Sequence, residues 1–153
     1  MASYLVVVED DHLQEGPLQD KLEDAFPDAR VEAIPTERAF RDRLADLRTR
    51  RPDLVVMDVM LRWDLPRRDA PDPPPDVVAG GYQRAGLRCA ELMAADPALA
   101  ATPVVFWTIL ERCDIERDGR QLPANSRYLR KSPDLDLLIR TARELTRLRR
   151  GPV

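Results

Sequence analysis

Four short stretches carry side chains suited to phosphoryl chemistry, and each lies just after an apolar run. Glu9-Asp10-Asp11 follows Tyr4-Leu5-Val6-Val7-Val8; Asp58 ends the run at 53–58; Thr108 ends the run at 103–108; Lys131 follows 126–130. Apolar runs of this length read as buried strands, and in open α/β sheets ligands gather at the carboxyl ends of the strands. If the first and third strands are neighbours, Glu9, Asp10 and Asp58 converge. Carboxylates about 4 Å apart repel by roughly 1 kcal/mol in water and about 4 kcal/mol at an effective dielectric near 20, so such a cluster calls for a proton or a cation. Mg²⁺ is the natural choice, being hard and oxygen-seeking. With Thr108 as a hydroxyl donor and Lys131 as an ammonium, the set is equipped to receive a phosphoryl group. The metal and Lys131 neutralise its oxygens, Thr108 donates to one of them, and Asp58 is the nucleophile. Each residue alone has a plain structural reading: a turn Asp, a strand Thr and a solvated Lys.

These positions need a scaffold of alternating strands and helices. The first strand, Tyr4–Val8, leads into a helix with Leu18, Leu22, Ala25 and Phe26 on one face, whose regular part Gly16-Pro17 is expected to delay. A second strand spans Arg30–Ile34. Thr36 is a fair N-cap for one further helix with Phe40, Leu44 and Leu47 inward, closed by the polar run at 48–51. Pro52 precedes the third strand. Helical period returns at Tyr82, Ala85, Cys89, Leu92 and Met93, and a fourth strand covers 103–108. Asp118-Gly119 and Pro123 allow at most a short helix within 109–125. A fifth strand spans Ser126–Arg130, and a last helix over 134–150 turns Leu135, Leu138, Ala142, Leu145 and Leu148 inward. Such alternation requires a parallel sheet covered on both faces. A dinucleotide fold wants a Gly-rich turn after the first strand, and three acids stand there instead. The expected fold is therefore a flavodoxin-like doubly wound parallel sheet of order 2-1-3-4-5.

Residues 62–80 break this rhythm. Pro66, Pro71, Pro73, Pro74 and Pro75 among alternating Arg and Asp predict a long extended insertion after the third strand. It leaves the sheet directly after Asp58, so a lid or docking role is expected beside an inert alternative, with Trp63 as a covering group and Arg62, Arg67 and Arg68 as phosphate or acidic-partner contacts.

The chain has 153 residues, a net charge of −3, 33% charged and 44% apolar residues, which suits one globular domain over 1–150. Tyr4–Val8 is too short for a signal peptide or membrane span, so a cytoplasmic location without membrane or nucleic-acid partners is expected. Cys89 and Cys113 lack metal-ligand spacing and read as two thiols.

The ordered set Val6-Val7-Val8-Glu9-Asp10-Asp11, Val55-Val56-Met57-Asp58, Thr108 and Lys131 resembles the receiver domains of two-component response regulators, over nearly the whole chain. The resemblance implies Asp58 as phosphoacceptor and a Mg²⁺ site of Glu9, Asp10, Asp58 and the Met60 backbone carbonyl, with Asp11 as a further candidate. It implies Thr108 as the switch hydroxyl, Lys131 as the phosphate-binding Lys, and Tyr128 as the aromatic that changes rotamer, beside plain packing for that ring. The implied partners are a histidine kinase or phosphotransfer protein, and a downstream protein target or a second copy met through the fifth strand and last helix with the irregular segment 109–125. With only Gly151-Pro152-Val153 after that helix, a stand-alone receiver is expected, not an enzyme beyond its own phosphoryl transfer and loss. The sequence departs from the family in Arg62 for the usual Pro, Ile109 for a small residue, and Lys131-Ser132-Pro133 for Lys-Pro, where a non-proline cis bond would cost about 3 kcal/mol and a trans bond is expected. A receiver-like scaffold that is never phosphorylated is the alternative. A phosphatase of the haloacid dehalogenase type needs a second Asp where Met60 stands.

Overall fold

The computed structural model describes residues 2–117 and 121–150, with nothing said of the side chain of Arg150. The Asp118-Gly119 break and the 151–153 tail lie outside the described residues.

Five parallel strands form one sheet of order β2-β1-β3-β4-β5: β1 Tyr4–Val8, β2 Arg30–Ile34, β3 Leu54–Met57, β4 Val104–Thr108 and β5 Ser126–Arg130. The register pairs Val8 with both Ile34 and Met57, and Met57 with Phe106, so the carboxyl ends of the central strands are level. Alternate strand residues face opposite layers. Leu5, Val7, Val56, Val105 and Trp107 pack under α1 (His12–Ala25) and α7 (Asp136–Arg150), while Val6, Val8, Val55, Met57 and Phe106 pack under the opposite layer with Phe40, Ala90 and Met93. Both faces of the central strands are covered, which is why they read as unbroken apolar runs.

Several expectations are corrected. Helix α1 is not delayed by Gly16-Pro17. It begins at His12 because Asp11 caps it, its side chain accepting the Leu13 N–H at 2.9 Å, and Leu18 and Leu22 anchor it beyond Pro17. The single helix expected after Thr36 is two, α2 (Glu37–Asp42) and α3 (Leu44–Thr49). At Arg43 the backbone N–H is shared between the carbonyls of Ala39 and Phe40, both at 3.1 Å, and the guanidinium reaches back to Glu32 of β2. Leu148 is 66% exposed on the outer face of α7, where the core beneath the sheet has run out.

The insertion is not wholly extended. Residues 62–74 are irregular, but Pro75 starts a helix, α4 (Pro75–Gly80), as Pro does well in a first turn, and its Val77 is buried. Gly81, at φ 73°, turns the chain into a 3₁₀ turn (Tyr82–Arg84) and then α5 (Ala85–Ala94). Tyr82, expected inward, is 58% exposed. Between β4 and β5 the short helix is α6 (Arg112–Glu116). The Lys131–Ser132 bond is trans, Cys89 and Cys113 are free thiols, and no described helix is long and apolar enough to cross a membrane.

Candidate functional site

The strand ends are extended by backbone bonds that fix the first residue beyond each strand. Glu9 N–H donates to the Ile34 carbonyl (3.2 Å), Asp58 N–H to that of Val8 (2.9 Å), and Lys131 N–H to that of Thr108 (2.8 Å). Sheet register thereby aims these side chains at one another. The Lys131 ammonium lies 2.6 Å from Glu9 Oε2 and 2.8 Å from Asp58 Oδ2, donates also to the Gln14 side-chain oxygen, and sits 4.8 Å above the Trp107 ring. The other Asp58 oxygen accepts the Met60 N–H at 3.1 Å.

Glu9 and Asp58 are only 3% and 5% exposed, so their charges are poorly screened. Burial, then the charge of Asp58, push the Glu9 carboxyl up to about 7, against the opposing pull of Lys131. Burial works to lower the Lys131 ammonium, and its hydrogen bonds to Asp58 and Glu9 overcome that effect and raise it. One lysine therefore only partly offsets two buried carboxylates.

Asp10 does not join them. Its Oδ2 accepts from the Arg62 backbone N–H (3.0 Å) and Nε (3.3 Å), and among the described residues no three acidic, His or Cys side chains converge as a ready metal cage. The expected three-carboxylate meeting is thus a pair, with Asp10 drawn aside by a cation from the insertion. Asp11 is spent on capping α1, and its N–H donates to Glu9 Oε1 at 3.1 Å. Glu9, Asp10, Asp11, Asp58 and Met60 nevertheless line one open cleft of about 260 Å³. The donors are hard oxygens and the Glu9–Asp58 pair carries unrelieved negative charge, so the residues fit a hard divalent cation.

Thr108 is fully buried, and its hydroxyl accepts the Leu110 N–H at 3.3 Å. The Tyr128 hydroxyl donates to the carbonyl of the same Leu110. Both candidate switch residues are therefore tied to one residue of the loop after β4, Thr108 through its N–H and Tyr128 through its carbonyl. Burial, followed by the charge of Glu111, raises the Tyr128 phenol, which keeps it a donor.

Residues not singled out from the sequence complete the site. Gln14, on the first turn of α1, holds Lys131. Tyr82 lines the cleft, and its carbonyl accepts the Leu61 N–H at 3.2 Å. Gly86 lets α5 lie against the Asp58–Val59 backbone: a Cβ there would stand 2.0 Å from the Asp58 carbonyl oxygen. A glycine inside an apolar helical pattern was the available signal for Gly86. Beside the cleft, a larger and more apolar groove of about 380 Å³, lined by Leu13, Pro17, Trp107 and Leu135, contains none of the carboxylates.

The insertion lies against α2. The carbonyls of Arg62 and Trp63 accept the N–H groups of Glu37 (3.1 Å) and Arg38 (2.9 Å), the first of that helix. Arg38 pairs with Asp64 at 2.6 Å, Arg41 with Asp76 at 2.8 Å, and the Arg41 guanidinium lies over the Trp63 ring. Beneath, Arg88 makes two bonds of 2.7 and 2.8 Å to the fully buried Glu37. Of the three arginines considered for a phosphate, Arg62 holds Asp10 and Arg67 pairs with Asp64, while Arg68 is exposed.

No family model and no curated protein matches this sequence. Solved structures do. The signal receiver domain of a signal transduction histidine kinase from Syntrophus aciditrophicus is 22% identical at a TM-score of 0.65, over 95% of this chain and 90% of that one. The signal receiver domain of a DNA binding response regulator protein from Colwellia psychrerythraea is 22% identical at 0.65, over 94% and 97%. The Mn(2+)-bound form of response regulator Rcp1 is 21% identical at 0.60, over 99% and 96%. At such identities the likeness is one of fold, and together with the 2-1-3-4-5 order it establishes that this chain has the flavodoxin-like fold of response regulator receiver domains.

Proposed function

We propose that the protein is a response regulator receiver whose Asp58 accepts a phosphoryl group with the help of Mg²⁺. The single observation that carries this reading is the Lys131 ammonium bridging Glu9 and Asp58, at 2.6 and 2.8 Å, across the carboxyl ends of a receiver sheet. In the transfer, an Asp58 carboxylate oxygen attacks phosphorus. The bond from phosphorus to the donor's imidazole nitrogen, or to the oxygen of a small acyl phosphate, breaks with its electron pair leaving on the donor. The product is an acyl phosphate on Asp58.

Glu9, Asp10, Asp58 and the Met60 carbonyl, with Asp11 adjoining, would hold Mg²⁺, which would supply charge neutralisation for the phosphoryl oxygens. Lys131 already stands at Asp58 and neutralises a further oxygen. The Thr108 hydroxyl, which accepts the Leu110 N–H, keeps its own proton to donate to a phosphoryl oxygen, and a turn of Thr108 toward that oxygen is passed to Tyr128 through Leu110. The donor is a histidine kinase or phosphotransfer protein, and the output is contact with a downstream protein. The chain catalyses nothing beyond its own phosphorylation and dephosphorylation.

Incubation with acetyl phosphate, with and without Mg²⁺, tests this. Wild type acquires an acid-stable, alkali-labile phosphate only with Mg²⁺, and Asp58→Asn acquires none. Absence of both that phosphate and any response to beryllofluoride would leave the protein as a scaffold acting through its surface alone.

A further inference from the structure

Asp10 belongs to two sets of contacts at once. Its carboxylate lines the acidic cleft with Glu9 and Asp58, yet one oxygen, Oδ2, takes both the backbone N–H and the Nε of Arg62. Arg62 is the first residue of the insertion, and its own carbonyl accepts the first N–H of α2. From there the clasp continues through Trp63 on Arg38 and Arg41, Asp64 on Arg38, and Asp76 on Arg41. The path from the cleft to the docked insertion is thus continuous, and its first link is a carboxylate that a cation needs.

We propose that Arg62 is a built-in competitor for the divalent cation. Its guanidinium occupies Asp10 when the insertion is clasped to α2, and cation binding takes Asp10 away from Arg62 and loosens the clasp. A guanidinium and a divalent cation repel when they share one carboxylate, so a cation on Asp10 weakens both Arg62 bonds to Oδ2. Because Oδ2 takes both Arg62 bonds, its loss releases the backbone N–H together with the side chain. Linkage makes the effect reciprocal: a partner that lifts 62–80 off α2 tightens cation binding. This regulation rests on the proposed Mg²⁺ site.

The test compares wild type, Arg62→Gln, Arg62→Lys and Asp64→Asn by Mg²⁺ titration calorimetry, and by limited trypsin cleavage after Arg67 and Arg68 with and without Mg²⁺. The Arg62 side chain is half exposed and Asp10 only partly buried, so removal of the pair in Arg62→Gln tightens Mg²⁺ binding by about two- to fivefold, the range of such pairs. Arg62→Lys restores most of the wild-type affinity. Asp64→Asn, which weakens the clasp without touching the cleft, shifts affinity in the same direction as Arg62→Gln. Mg²⁺ speeds cleavage after Arg67 and Arg68 in wild type and not in Arg62→Gln. Saturable binding in wild type with unchanged affinity in Arg62→Gln and cation-independent cleavage overturns the competition while leaving the Mg²⁺ site standing. No saturable binding in any form overturns both.

Discussion

Replacing Gly86 by Ala puts a methyl group 2.0 Å from the Asp58 carbonyl oxygen, 2.8 Å from Val59 Cα and 2.9 Å from the Asp58 carbonyl carbon. All three obstacles are backbone, so no side chain can swing away. To regain ordinary contact, α5 must back off by about 1.4 Å or more, carrying buried Leu87, Cys89, Ala90 and Met93 out of register with the sheet and stretching the 2.9 Å bond from Gly86 N–H to the Val59 carbonyl. Overpacking of this kind costs about 3 kcal/mol, and the better helix propensity of Ala returns about 1 kcal/mol, for a net loss near 2 kcal/mol. For a chain of this size that lowers Tm by about 4–8 °C. Gly16→Ala is the matched control. Nothing lies within 4 Å of its Cβ position inside α1, so the same substitution should stabilise by about 0.5–1 kcal/mol. Urea denaturation of the three proteins measures both values. A Gly86→Ala midpoint equal to wild type would refute the reasoning that α5 is seated by that glycine. If the strain is instead relieved at the loop, Asp58 moves and acetyl phosphate labelling slows.

Glu9→Gln tests the buried carboxylate pair. The folded-state value of about 7 lies above the ordinary 4.5, so the favourable contribution is complete below about pH 4.5 and is lost as pH rises through 7. In chelator, wild type should lose stability relative to Glu9→Gln across that window, and parallel Tm-against-pH curves would exclude the effect. Arg88→Met leaves the buried Glu37 with Arg41 alone and should cost about 3 kcal/mol in urea unfolding, the lower end for breaking a buried pair; a loss under about 1 kcal/mol would count against a tightly coupled network. Val77→Ala should cost about 1.5 kcal/mol, while Val78→Ala, 68% exposed, should change stability by less than about 0.5 kcal/mol. Equal small losses would mean that α4 is a solvated turn.

Much of the fold was written in local pattern. The runs at Tyr4–Val8, Leu54–Met57 and Val104–Thr108 are apolar on both faces because both faces are covered, and alternation with helical period leaves few topologies. Glu9, Asp58, Thr108 and Lys131 could be placed because a strand's end is visible wherever an apolar run meets a polar residue. The errors fall where local and tertiary demands conflict. Gly16-Pro17 is expected to delay the regular part of α1, but the Asp11 cap and the burial of Leu18 and Leu22 outweigh one missing bond. The helix broken at Arg43 has no breaker in sequence: the Arg43 N–H is shared between the Ala39 and Phe40 carbonyls, and its guanidinium pairs with Glu32 of a neighbouring strand.

What sequence alone determined was the identity of the strand-end groups and the order in which they occur, because strand period and chain order are local properties. Only the tertiary structure decided how those groups are shared. Lys131 stands between Glu9 and Asp58, Asp10 is given to Arg62, and the Pro-rich segment is clasped to α2. Each is a choice among oppositely charged neighbours far apart in the chain. Coulomb attraction carries no sequence signature, and the pairing that wins is set by distance and burial once the backbone is in place.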